Sequence, residues 1–213
     1  MTNDLSAEEV CALLKLEPHA TCGFVRVTFI SNQRIAPGGL PAPFLDGRPA
    51  GSALYFMVTP DAPVRLHRIR NDQLYHRYLG DPIEILMLHE NGTTERAIVG
   101  PDLRTGQCVQ LLIPGNTFHT ARVIGQRRWF LGASTEWPGV EKVDVEIGDV
   151  EALAAKYPDV ADDLRSFQHG QGRLTSIASA TVYGACVNHR SLDSGVSTQT
   201  PLHELTSEHS SRP

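Results

Sequence analysis

The run Gln73-Leu74-Tyr75-His76-Arg77-Tyr78 sets an imidazole and a phenol two positions apart. Strand side chains alternate between faces, so His76 and Tyr78 are expected on one face and Tyr75 with Arg77 on the other. An imidazole titrates near neutrality and can take a proton from carbon, while a phenol beside it returns a proton or donates to a developing oxyanion. That is the chemistry of epimerisation, isomerisation and elimination next to a carbonyl. The plain structural alternative has His76 bonding a backbone carbonyl and Tyr78 filling a core. Arg26 shares a strand face with Phe24 and Thr28. A guanidinium on an interior face needs a carboxylate from protein or substrate; otherwise it belongs in a salt bridge at the mouth. Walker loops, dinucleotide fingerprints and Gly-x-Ser-x-Gly elbows are all missing from the sequence, which argues against nucleotide-dependent enzymes and serine hydrolases.

These residues need a frame. The 213 residues carry 19 basic and 24 acidic side chains, a formal charge of −5, with 41% hydrophobic and 20% charged residues. This is the composition of an ordinary globular domain with enough chain for its own core, and the mild acidity removes the basic footprint that nucleic acid requires. The start of the chain lacks a basic segment followed by an apolar one, and no run is long enough to cross a bilayer, so a cytoplasmic location is expected. Cys11, Cys22, Cys108 and Cys186 form no CxxC pair and read as buried free thiols.

Ser6-Ala7-Glu8-Glu9 has the spacing of a capping box, and Val10, Leu13, Leu14 and Leu16 follow on a helical face up to Pro18. Nine β-prone runs come next, over 24–30, 52–59, 64–69, 73–78, 83–89, 94–99, 109–113, 117–124 and 128–133. Turn formers separate nearly all of them, among them the hairpin signal Asn91-Gly92. Close-spaced strands with no helices between them predict an all-β antiparallel sandwich or barrel. Residues 32–50, rich in proline and glycine, predict a long irregular loop that could cover a pocket. Residues 150–157 and 161–167 read as short helices, and the Ser/Thr-rich end as a flexible tail.

Two segments resemble the motifs of the cupins, small jelly rolls that carry His-x-His, a Glu and a Gly in one motif and Pro-x-Gly-x-x-His in the next. Here the first is His67-Arg68-Ile69-Arg70-Asn71-Asp72-Gln73 with Gly80, and the second is Pro114-Gly115-Asn116-Thr117-Phe118-His119. Ile69 stands where the second His would be and Gln73 where the Glu would be. The likeness is strongest to the cupin-5 (DUF985) type. It runs from Leu16-Glu17-Pro18-His19 and Gly23-Phe24-Val25-Arg26 through Ala53-Leu54-Tyr55-Phe56, Gly80-Asp81-Pro82-Ile83-Glu84 and Leu86-Met87-Leu88-His89. Val27 and Tyr78 replace residues typical of that group, a Glu and a His, and His119 stands where a Gln is frequent.

The resemblance implies an all-β, cupin-type double-stranded β-helix, a jelly-roll barrel with a short N-terminal helix and short C-terminal helices. Residues 1–20 are then the helix packed on the barrel, 21–148 the barrel, 149–168 the helical segment and 169–213 the tail. It also implies that His67 and His119 converge inside. The expected activity is proton transfer on a small organic substrate without a cofactor, of isomerase, epimerase or dehydratase/cyclase type. His67 or His76 would be the base, Tyr78 the acid and His119 a catalytic partner, with Arg26, Gln73, Phe118 and Trp129 binding substrate. Two alternatives stay open. One is an oxygenase or lyase using iron, nickel or zinc on His67, Gln73 and His119; the other is a small-ligand-binding module without catalysis. Edge pairing of jelly rolls implies a homodimer.

Overall fold

The structure, a computed structural model, describes residues 5–126 and 128–168; the expected tail, with Cys186, His169, His189, His203 and His209, lies outside them. Helix α1 (Ala7–Leu14) starts as its sequence dictates: Glu9 N–H donates to Ser6 Oγ at 3.2 Å and Ser6 N–H to the Glu9 carboxylate at 2.7 Å. It ends at Lys15, which turns left-handed at φ 53°. Each of the nine β-prone runs coincides with a strand, two of which extend beyond the expected end by two or three residues: β2 (Phe24–Ile30), β5 (Ser52–Val58), β6 (Val64–Ile69), β7 (Gln73–Gly80), β8 (Ile83–Leu88), β9 (Thr94–Val99), β10 (Gln110–Ile113), β11 (Phe118–Val123) and β12 (Phe130–Glu136). The short strands β1 (Glu17–Pro18), β3 (Arg34–Ile35), β4 (Arg48–Pro49) and β13 (Val145–Ile147) had no sequence signal of their own. Helices α2 (Val150–Lys156) and α3 (Ala161–Gln168) close the described chain.

The expected jelly-roll barrel is corrected by the strand pairing. The strands form three separate antiparallel sheets: six strands in the order β1-β2-β5-β12-β7-β10, five in the order β13-β6-β11-β8-β9, and the pair β3-β4. No sheet closes on itself. Among the described residues the two large sheets are joined by isolated bridges, Cys22 to Val64 and Val99 to Cys108, and by no continuous ladder. Apolar side chains on both inner faces hold these sheets together as a sandwich, and such burial needs no continuous ladder of hydrogen bonds.

Alternation along the strands sorts the apolar residues into three layers. Phe56, Val58, Tyr75, Ile83, Ile85, Met87, Val99, Leu111 and Phe130 fill the space between the sheets. On the outer side of the six-stranded sheet, Met57, Trp129 and Leu131 pack under Val10 and Leu16 of the α1 segment, and Trp129 Nε1 donates to the Leu5 carbonyl at 2.9 Å. On the outer side of the five-stranded sheet, Leu66, Leu86 and Leu88 receive Leu153, Tyr157, Leu164 and Phe167 from the C-terminal helices. The 32–50 segment is tied down at β4. Arg48, almost wholly buried, forks onto Asp144 at 2.9 and 2.8 Å and also pairs with Asp46.

Candidate functional site

The inner faces of the two sheets carry a polar island. His67 on β6 and His119 on β11 are register partners in the five-stranded sheet, 2% and 0% exposed, with ring centres 4.4 Å apart. His67 Nδ1 lies 2.7 Å from the Arg65 carbonyl and His119 Nδ1 3.3 Å from the Thr117 carbonyl. A neutral imidazole facing a carbonyl must donate there, so each ring keeps Nε2 as its acceptor. His119 Nε2 accepts from the Tyr75 hydroxyl at 2.9 Å, whereas His67 Nε2 has no hydrogen-bond partner among the described residues. Burial drives both imidazoles toward the neutral form. The His67 pKa falls to about 4; that of His119 falls well below the usual range, its neighbour His67 adding to the effect of burial. Burial likewise raises the Tyr75 phenol well above its ordinary value and pushes the Cys22 thiol beside it up to about 11.

The facing sheet supplies Gln73 and Tyr75 from β7, Ser134 and Glu136 from β12 and Ser52 from β5. Gln73 Nε2 donates to Ser134 Oγ at 3.3 Å, Ser134 Oγ donates to Glu136, and Ser52 Oγ donates to Glu136 at 2.7 Å. Burial raises the Glu136 pKa against the hydrogen bonds from Ser134, Ser52 and Gln73, which lower it. Exposure falls along the sheet from β2 inward. Register places Val27 beside Leu54, Leu54 beside Ser134 and Ser134 beside Tyr75; a second row runs Ile30, Ser52, Glu136, Gln73. Val27 is 55% exposed, Leu54 and Ser52 are half-buried, and Ser134 and Glu136 are buried.

The other residues singled out in the sequence lie elsewhere. His76 is on the outer face of β7, where Gln110 Nε2 donates to its Nδ1 at 2.9 Å and its Nε2 meets Thr135 Oγ1 at 2.8 Å, so both ring nitrogens are engaged. Tyr78 sits where the β7–β12 register shifts, between Arg77, paired with Gly132, and Leu79, paired with Leu131; its ring meets the edge of Tyr55, 5.9 Å away. Arg26 donates to the Leu14 carbonyl at 3.1 Å, serving the end of α1. Trp129 is under α1, and Phe118 is in the outer layer beneath the C-terminal helices, with the Arg68 guanidinium 4.6 Å from its ring centre. Sequence reasoning missed Tyr75, Ser134 and Glu136. For Tyr75 a signal existed: Gln73 stands at a motif position that faces inward, and strand alternation then puts residue 75, not 76, beside it.

A match to the family described as Cupin superfamily (DUF985) spans residues 8–148. The chain belongs to the cupin superfamily. Its likeness to solved structures includes a hypothetical protein from Leishmania major, 24% identical, TM-score 0.67, covering 78% of this chain and 99% of that one. A protein from Shewanella oneidensis is 25% identical, TM-score 0.68, covering 76% and 97%. Among curated proteins there is no match.

The cupin motif invites a metal, and the residues at its positions do not fit one. Ile69 offers no donor atom, Gln73 offers a neutral amide, and His119 Nε2 is engaged by Tyr75. Among the described residues, no three His, Cys, Asp or Glu side chains are grouped to hold an ion. Nor is any described helix of this cupin long and apolar enough to cross a membrane.

Proposed function

We propose that this cupin is an enzyme acting on a small organic molecule by acid/base proton transfer, of isomerase, epimerase or dehydratase/cyclase type, with its own side chains supplying the chemistry. The observation that carries this reading is the buried triad His67, His119 and Tyr75: one imidazole with an open acceptor nitrogen, next to a phenol held by a second imidazole. His67 Nε2 takes a proton from a carbon beside a carbonyl, the C–H electrons move into the carbonyl, and the Tyr75 hydroxyl turns from His119 to the new oxyanion. Because burial disfavours a charged His67, the proton cannot rest there, and its return to carbon or to a leaving group completes the turnover. Gln73 orients the substrate. Support for His76 and Tyr78 as the acid/base pair is weaker, since both ring nitrogens of His76 are engaged on the outer face.

The test is deuterium uptake from heavy water into a panel of carbonyl compounds, followed by NMR, with tag-free protein whose metal content is measured alongside. Exchange that survives chelator and falls by about a hundredfold or more in His67→Ala is the expected result. Exchange indifferent to His67→Ala, or lost with chelator, would sink the reading; saturable binding of the panel without exchange would turn it toward a binding module. We read the protein as a homodimer as well, because β1 covers only Phe24 and Val25 of β2, leaving Arg26–Ile30 as an edge that carries exposed Val27, Phe29 and Ile30.

A further inference from the structure

Glu136 is 3% exposed, and no cationic side chain among the described residues pairs with it. Its carboxylate accepts from the Ser134 and Ser52 hydroxyls and from the Gln73 amide, all of them uncharged donors. Val140 N–H donates to Ser52 Oγ at 3.1 Å and Gln73 Nε2 to Ser134 Oγ at 3.3 Å, so both hydroxyl protons are turned to the carboxylate. Gln73, the register partner of Glu136 across β7 and β12, is 5% exposed and leaves Oε1 buried without a hydrogen-bond partner. A buried acceptor left without a donor, and a buried carboxylate left without a cation, both carry a desolvation cost that a suitable ligand donor would offset. Side by side in one wall, on the row that runs in from the half-buried Ser52, they mark a place for a donor that the chain does not supply.

We propose that this wall seats the protonated primary amino group of a small organic ligand, with its ammonium between the Glu136 carboxylate and Gln73 Oε1. An ammonium brings three N–H donors and one positive charge, which matches a carboxylate and a carbonyl oxygen. A carboxylate or phosphate ligand would meet only acceptors there. A hard metal ion is a poorer fit, since it calls for about six oxygen ligands. The inference rests on the proton-transfer reading for the choice of wall, and it assigns that wall a substrate class: amines of modest size whose apolar body lies toward Leu54 and Val27, the less buried residues of the adjoining row.

The experiment is an NMR titration of the full-length protein with three probes of one shape: benzylamine, benzyl alcohol and benzoate. Benzylamine is expected to shift the Gln73 side-chain amide saturably, with affinity about tenfold or more above that of the alcohol, and benzoate not to bind. Glu136→Gln should bring the amine down to the affinity of the alcohol, and Gln73→Leu should weaken it while keeping the preference for the amine. Equal binding of alcohol or benzoate would overturn the proposal, as would no saturable amine binding up to about 10 mM. So would amine binding unchanged in a folded Glu136→Gln protein, or displacement of the amine by manganese or zinc alone. If Glu136→Gln does not fold, the probe series and Gln73→Leu decide. Amine binding with this pattern in a protein that shows no deuterium exchange would defeat the proton-transfer reading and leave the amine seat standing.

Discussion

His67 and His119 lie in contact in the space between the sheets, and burial keeps both uncharged near neutral pH. That state has a consequence for stability. The unfolded chain takes up the His67 proton near pH 6.5, whereas the folded protein takes it up only near 4. Between those values the unfolded state binds more protons, so the contribution of His67 is complete above about pH 6.5 and is lost as the pH falls toward 4, a change of about 3 kcal/mol. Glu136, with its raised pKa, works in the opposite sense and favours the folded state as the pH falls through its folded value. Urea unfolding from neutral pH down to about pH 4.5 should show the loss in the wild type and a shallower one in His67→Gln. A second comparison separates the two faces of β7. Tyr75→Phe, which removes the hydroxyl from His119, should cost about 1–3 kcal/mol of stability and lower deuterium exchange by about a hundredfold. Tyr78→Phe on the outer side should change the exchange rate less than about twofold.

Trp129 and Arg48 act between elements. Trp129 lies between β12 and the α1 segment, with its ring packed on Val10 and Leu16 and its indole N–H on the Leu5 carbonyl. Trp129→Ala should cost about 3–5 kcal/mol in denaturant unfolding, by opening the layer that holds α1 to the sheet. The close approach of Trp129 to Gly80, which turns from β7 to β8 with φ +83°, leaves no space for a Cβ there. Arg48 ties the 32–50 segment to Asp144, just ahead of β13, by two parallel hydrogen bonds. Arg48→Met would leave the buried Asp144 with only the Glu141 N–H at 2.9 Å and the Arg70 guanidinium at 3.9 Å, and should destabilise by about 3 kcal/mol. Replacing Asp144 with Asn in the same chain should recover part of that loss, which separates the cost of a stranded charge from lost packing.

At the scale of the whole molecule, two sheets packed face to face carry a helical layer on each outer side, and the polar island interrupts an otherwise apolar interior. The β2 edge beyond β1 is a break in this coverage, with Phe29 and Ile30 exposed on it. Light scattering on the purified protein is expected to give twice the mass of one chain, and Phe29→Lys with Ile30→Lys to give the mass of one. A wild type already at single-chain mass would remove the dimer.

Much of this architecture was legible in the residues alone. The capping box marked the start of α1, and period-two alternation and turn formers located nine strands, local signals each set by a few neighbouring residues. The meeting of His67 and His119 was an expectation carried by the resemblance to the cupin motifs. What alternation could not say is which of two faces turns inward: His76 looked the more chemical residue, yet Tyr75 is the one that meets His119. Glu136, at the end of β12, gave no sign of joining Gln73 across a register set by β7 and β12, strands far apart in the chain. The sheets' failure to close was equally out of reach, because closure depends on how two twisted layers meet and not on any one strand. The residues alone were enough for the three helices, the nine longer strands and the family resemblance, all carried by short-range pattern. The inward face, the burial that neutralises the histidines and the unpartnered Gln73 Oε1 beside Glu136 came from the packing of the sheets, since each depends on contacts between distant segments.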